Sequence, residues 1–317
     1  MNFLTVFSKM IQLFLIMAVG YAAGKMKFMD RTMRSMLTSL IMNITMPALF
    51  IAAVLNAESL PEAGEFLMLF GMVVVEYAAA LGISFLLVRL LRIPRNITGT
   101  SIFILVFGNM SFMGFPVMQA IWGNEGVFYA MMFVMPFNLL LDSLCSGLIL
   151  QDKYAAAPEG EKKKRTGQNW KQVLRSPVFL ASVVAFALAL SRIQVPEVIG
   201  RSLTSIGSIT TPVTMLLIGA SLADVPLREV FNVPVIYLLS VLKLIVMPVL
   251  IWLIFRMFLS NRVFLGVTTV INAMPVAAVG QMLCLRHGYN EAFMAKAIFI
   301  TTVCSVVTIP LIALLVT

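Results

Sequence analysis

The sequence predicts an all-α membrane protein of ten transmembrane helices, written as two inverted five-helix repeats with helices 4 and 9 broken in mid-membrane. Three observations predict it. Of 317 residues, 60% are hydrophobic and 12% charged, with a mean hydropathy of +0.98, whereas a soluble domain carries about 25% charged residues. Pro47 and Pro61 recur as Pro212 and Pro226, and Gly123 recurs as Gly288, all at an offset of 165 residues, while Arg95 and Gly99 recur as Arg262 and Gly266 at 167. Each half holds five apolar segments, and an odd number of crossings inserts the second copy upside down relative to the first.

The expected spans run roughly over 5–24, 35–55, 66–90, 98–121, 126–150, 173–191, 199–222, 232–257, 264–285 and 292–316. At about 20 residues per helical crossing, ten spans absorb nearly all the hydrophobic residues. The chain therefore divides into a first repeat (1–150), a linker (151–172) and a second repeat (173–317). The start imitates a signal peptide, with Lys9, an apolar run and Ala22-Ala23-Gly24. The run is as long as a full span, so it reads as the first helix.

The linker carries Lys153, Lys162, Lys163, Lys164, Arg165 and Lys171. Loops after odd-numbered spans hold 16 Lys and Arg residues, against 5 on the opposite side. Such a bias places the linker in the cytoplasm and both termini outside, in the cytoplasmic membrane. Glu58, Glu62 and Glu65 after span 2 agree. The net charge of +9 then faces anionic lipid of the bilayer, and no nucleic-acid partner is expected.

Chemistry-bearing residues are few. Span 4 reads Gly108-Asn109-Met110-Ser111-Phe112-Met113-Gly114-Phe115-Pro116, and span 9 reads Asn272-Ala273-Met274-Pro275, continuing to Gly280-Gln281. Pro removes a backbone donor and clashes with the preceding turn, and Gly relaxes the backbone, so both segments are expected to break. A break in hydrocarbon is tolerated only inside protein or at a watery cavity. Half-helix N-termini carry partial positive charge and suit an anion, and Asn109 and Asn272 add neutral amides. Proline kinks also occur in membrane helices merely to bend them; two in matching places, each with an Asn, favour a site. Asn138 beside Pro136 on span 5 is a further candidate. Asn43, Thr45 and Pro47 on span 2, and Thr210, Thr211, Pro212 and Thr214 on span 7, suit either interhelical packing or a cavity wall.

Glu76 lies mid-span 3 and Lys243 mid-span 8, again at an offset of 167. A lone intramembrane charge is costly, so pairing or neutralisation is expected, with a pair serving as a protonation switch or as a static link. No cofactor is expected: there is no phosphate-binding glycine loop, no His/Cys metal spacing around the single His287, and no Ser/His/Asp arrangement. An enzyme is not expected. Cys145, Cys284 and Cys304 read as buried packing residues. Inverted repeats with broken helices occur in secondary transporters. A carrier for an organic anion, a sodium/proton antiporter and a membrane scaffold remain the alternatives.

Asn109 to Pro116 followed by Gly123, in the pattern N-x4-G-x-P-x6-G, with Ala273-Met274-Pro275 and Tyr289-Asn290, resembles the auxin efflux carrier family. That family includes plant PIN proteins and bacterial malate permeases. The resemblance covers nearly the whole chain; it departs where Val276 replaces a Gln frequent in plant members. It implies a fold like bile-acid symporters and sodium/proton antiporters, with spans 4 and 9 crossing. Spans 1, 2, 6 and 7 would form a scaffold and homodimer, spans 3–5 and 8–10 a transport domain, and the two would move as an elevator. It implies a small organic carboxylate, malate-like or auxin-like, held by Asn109, Asn138 and Asn272. By the resemblance, Pro116 and Pro275 would shape the crossing and Glu76 and Lys243 would support it; from their places in the broken and polar segments, Gly114, Asn43 and Gln281 are also expected to be substrate-binding. Coupling to H+ or Na+ stays open.

Overall fold

The computed structural model describes residues 3–57, 60–156, 176–223 (apart from 192 and 194) and 233–316. The linker beyond residue 156, and with it most of its Lys/Arg run, lies outside the described residues, as does Glu58. The described residues are helical, with no strand; the one β-type pairing among them is an isolated bridge between Gly108 and Val276.

In chain order the helices are α1 (Phe3–Lys25), α2 (Arg31–Leu55), α3 (Ala63–Leu90), α4 (Thr98–Val106), α5 (Phe115–Leu140), α6 (Ser146–Ala156), α7 (Pro177–Ser191), α8 (Glu197–Leu222), α9 (Pro234–Phe255), α10 (Arg262–Asn272), α11 (Val279–His287) and α12 (Glu291–Val316). Six of these, α1, α2, α3, α8, α9 and α12, are long and apolar enough to cross a membrane. They correspond to expected spans 1, 2, 3, 7, 8 and 10. Span 6 is the 15-residue α7. Span 4 divides between α4 and the start of α5, and span 9 divides between α10 and α11. Span 5 begins within α5, beyond a kink at Gly123.

Proline explains much of the local geometry. One-turn π segments at Ile41–Thr45, Met110–Gly114 and Leu242–Val246 each end two residues before a proline: Pro47, Pro116 and Pro248. In each, the residue just before the proline donates its N–H five residues back, Met46 to Ile41, Phe115 to Met110 and Met247 to Leu242. The proline ring cannot tolerate the carbonyl four residues earlier, so the turn widens. Gly123 and Gly288, paired in the sequence, both take positive φ (63° and 61°), which glycine adopts without steric cost. Each closes a half-helix.

The apolar core encloses the interruptions, where Phe103, Phe107, Met113 and Phe115 are buried. Cys145 and Cys284 are buried as expected, whereas Cys304 is exposed on α12, because the outer faces of a membrane helix take apolar side chains as readily as its core. Helices α1 and α8 approach through small residues: a Cβ on Gly219 would collide with the Met17 carbonyl, and one on Gly20 with the Leu216 backbone. Small residues permit such close backbone packing. Gly219→Val is expected to lower stability by about 3 kcal/mol, the upper range of overpacking, while Gly82→Val, which meets open space, leaves it nearly unchanged. Thermal unfolding in detergent checks both.

Candidate functional site

The two breaks meet. After α4 ends at Val106, Phe107 is extended (φ −93°, ψ 104°) and Asn109 is non-helical (φ −75°, ψ 68°). After α10 ends at Asn272, residues 273–278 are also non-helical before α11. The stretches pair antiparallel: Asn109 N donates to the Pro275 carbonyl (2.6 Å), and Ala277 N donates to the Phe107 carbonyl (3.0 Å). Val276 N donates to Thr301 Oγ1 on α12 (3.1 Å), and that hydroxyl donates to Ala297 O (2.7 Å). Unsatisfied backbone in hydrocarbon costs several kcal/mol per group, and here each break supplies partners for the other. Gly108 admits the contact, since a Cβ there would stand 3.0 Å from the Ile271 carbonyl.

Side chains then finish the helix ends. Asn109 Oδ1 accepts from Phe112 N (3.4 Å) as an N-cap, and its Nδ2 makes no hydrogen bond to a described residue. Gly114 N returns to the Asn109 carbonyl (3.0 Å), and Pro116 occupies the first turn of α5, where its missing N–H costs nothing. Lys243 is fully buried and donates from Nζ to the Leu105 and Val106 carbonyls (3.2 and 3.3 Å), the last turn of α4. A cation is favoured where helix carbonyls end. Glu76, 3% exposed, accepts from Asn272 Nδ2 at 2.7 Å. The same Nδ2 donates to Thr268 O (2.9 Å), so both amide hydrogens of Asn272 are committed inside the protein.

Glu76 and Lys243 share this centre, and each lies in the electrostatic field of the other. Their direct hydrogen bonds go to two different helix ends, Lys243 to that of α4 and Glu76 to that of α10, so they act on each other through space rather than by a contact ion pair. The C-terminal ends of α4 and α10 offer each charge a closer partner than the other charge.

The structure thus brings Asn109, Gly114, Pro116, Asn272, Pro275, Glu76 and Lys243 to one centre. It does not bond Asn43, Asn138 or Gln281 to it. Asn138 Nδ2 donates to Val134 O in its own helix (2.9 Å). Asn43 is exposed and donates to Ser39 O (2.8 Å), and Gln281 is exposed on α11. Of the threonines, Thr211 reaches Gln119, Thr214 bonds its own helix, and the Thr45 and Thr210 hydroxyls are buried without a partner.

Sequence reasoning missed Thr301 and a clamp at the far end of α4. There the buried Asp152 accepts from Gly99 N (2.6 Å), Thr100 N (2.7 Å) and Thr100 Oγ1 (2.6 Å), and Asn290 Nδ2 donates to Thr100 Oγ1 (2.9 Å). A carboxylate beside the first N–H groups of a helix is a recognisable cap, but the partner lies 52 residues away along the chain. At the start of α10, Asn261 caps Phe264 N (3.0 Å) and donates to Tyr129 OH (2.9 Å).

A helical membrane protein whose two interrupted helices meet in a polar centre has the build of a membrane transporter. The sequence model of the family described as "Membrane transport protein" matches residues 5–313, so the chain belongs to that family, the one containing the auxin efflux carriers, as the Asn109–Pro116 motif anticipates. An uncharacterised transporter of Methanocaldococcus jannaschii is 24% identical over 304 residues, 94% of each chain. An uncharacterised transporter of Methanothermobacter thermautotrophicus is 25% identical over 206 residues, 64% of this chain and 63% of that relative.

Proposed function

We propose that the protein is a secondary carrier moving a small organic carboxylate, malate-like or auxin-like, across the cytoplasmic membrane by an elevator motion. In this reading it has ten crossings in two inverted repeats (1–150 and 173–317). Both termini lie outside, the 151–172 linker is cytoplasmic, and a homodimer forms through the scaffold.

The observation that carries the reading is the centre itself. Asn109 caps a half-helix and keeps its amide donors unengaged, beside a helix N-terminus that favours an anion. The buried carboxylate of the centre, Glu76, is held by Asn272. The elevator part draws support from how most side-chain hydrogen bonds divide, with Thr211–Gln119 and Asn124–Asn56 crossing between the two groups. Helices α3 to α6 and α9 to α12 are cross-linked through Glu76, Lys243, Asp152, Asn261, Asn290 and Thr301. Helices α2 and α8 are also joined to each other, by Arg34 to the Ala220 carbonyl (3.2 Å) and Asn56 to Thr204 (3.0 Å). Glu76 supports H+ as the coupling ion, because its partner Asn272 ends α10 and a change of charge there reaches the break directly.

Two measurements test this. A panel of organic acids should include one that stabilises the purified protein by about 2.7 kcal/mol at a hundredfold excess over its Kd. Labelled malate or an aromatic acid should show counterflow in proteoliposomes, with a response to a pH gradient that Glu76→Gln loses. Sodium stabilisation and pH-dependent Na+ flux without carboxylate flux would replace the reading with an antiporter.

A further inference from the structure

We infer that Gln119, Thr211, Asn124 and Asn56 form a polar latch that closes one face of the protein, so that this conformation is open on the face where α11 ends. The inference rests on the carrier reading for its meaning, but its geometry is independent of the substrate.

It begins from an asymmetry. In an inverted repeat, the half-helix after the first break (from Phe115 to the Gly123 kink) and the half-helix after the second (α11, to Gly288) are counterparts. Their cover differs. Phe115, Pro116, Val117, Met118 and Ile121 are all buried. On α11, Gln281 is exposed, Met282 is 69% exposed and Leu285 55% exposed.

The neighbours differ in the same way. The first half-helix meets α2 through the Phe115 and Phe50 rings, whose centroids lie 4.7 Å apart. It meets α8 through Thr211 Oγ1, which donates to Gln119 Oε1 at 2.7 Å. Just beyond the kink, Asn124 Nδ2 donates to the Asn56 carbonyl at the end of α2 (3.2 Å). Asn56 is itself anchored, donating from Nδ2 to Ala52 O (2.7 Å) and to Thr204 Oγ1 on α8 (3.0 Å). The principal packing partners of α11 are α6 and α12, which belong to its own group of helices.

Counterpart segments with unequal cover mean that the conformation is not at the midpoint of a symmetric cycle. One face is closed by α2 and α8 against the first half-helix, and among the described residues nothing comparable covers α11. The Lys/Arg bias makes that second face cytoplasmic, so the protein is inward-open. Moving to the opposite state would cover α11 and uncover residues 115–122. The Gln119–Thr211 and Asn124–Asn56 bonds are among the polar contacts that must break. These residues therefore act as positioning residues for the equilibrium between faces.

Cysteine accessibility tests this in the full-length protein carrying Cys304→Ser, with Gln119→Cys or Gln281→Cys as the reporter. A water-soluble maleimide should react quickly with the second and slowly with the first. Adding Asn124→Ala to the Gln119→Cys protein removes the remaining latch bond. Labelling should then rise about fivefold, the population shift that one ordinary hydrogen bond commands. The native Cys145 and Cys284, both buried, should stay unlabelled throughout. Equal labelling at 119 and 281, no response to Asn124→Ala, or labelling of Cys145 and Cys284 alongside would overturn the latch. The readout needs no substrate. Failure to transport carboxylates with an intact labelling pattern would reject the carrier reading and keep the latch.

Discussion

Lys243→Met is expected to destabilise the protein by about 3–5 kcal/mol, the cost of breaking a buried charged arrangement by removing one partner. Methionine fills most of the same volume, so the loss is electrostatic. The Leu105 and Val106 carbonyls lose their donor, and Glu76 stays buried without a nearby opposing charge. The measurement is the unfolding midpoint in detergent, read as a double-mutant cycle with Glu76→Gln. The double variant should be less destabilised than the sum of the single ones, because glutamine can still accept from Asn272 and carries no charge to neutralise. Strict additivity would mean that the two residues act separately on their two helix ends.

The second large effect concerns Asn109, whose two roles can be separated by chemistry. Its Oδ1 caps the turn that opens toward α5, and its Nδ2 remains for a guest. Asn109→Ser keeps a capping oxygen and discards the amide donors. It should unfold within about 1 kcal/mol of the parent, since serine and asparagine are comparable caps. It should bind the carboxylate about 10- to 100-fold more weakly, the cost of one charge-assisted hydrogen bond. Asn109→Ala should lose both properties. Calorimetric titration with the acid picked out by thermal stabilisation separates them. A serine variant that binds as tightly as the parent would remove Asn109 from the guest's contacts.

How far the sequence reaches can be judged at particular residues. The breaks were legible because proline and glycine act locally: Pro116 and Pro275 remove donors wherever they stand. The π turns before Pro47 and Pro248 followed from the same rule and went unread, since neither proline interrupts the span. The partners of Glu76 and Lys243 were not legible. Matching offsets put both residues in the middle of their spans, but could not say that two helix ends would lie closer to them than they lie to each other. Asp152 and Thr301 were hidden for a related reason. Each completes a backbone group from a distant part of the chain, and one side chain carries no trace of which amide it will meet. Asn138 and Asn43 show the converse: an asparagine in an apolar run draws attention, yet its own helix can absorb the amide through a carbonyl four residues earlier.

The exchange between Asn109 and Pro275, and between Ala277 and Phe107, has a consequence for how such a chain can arise and change. Neither half finishes its own interior, because a donor and an acceptor of each break are satisfied by the peptide groups of the other. A first half folded alone would leave the Asn109 N–H and the Phe107 carbonyl without these partners. A deletion at one interruption has to be answered at its opposite number.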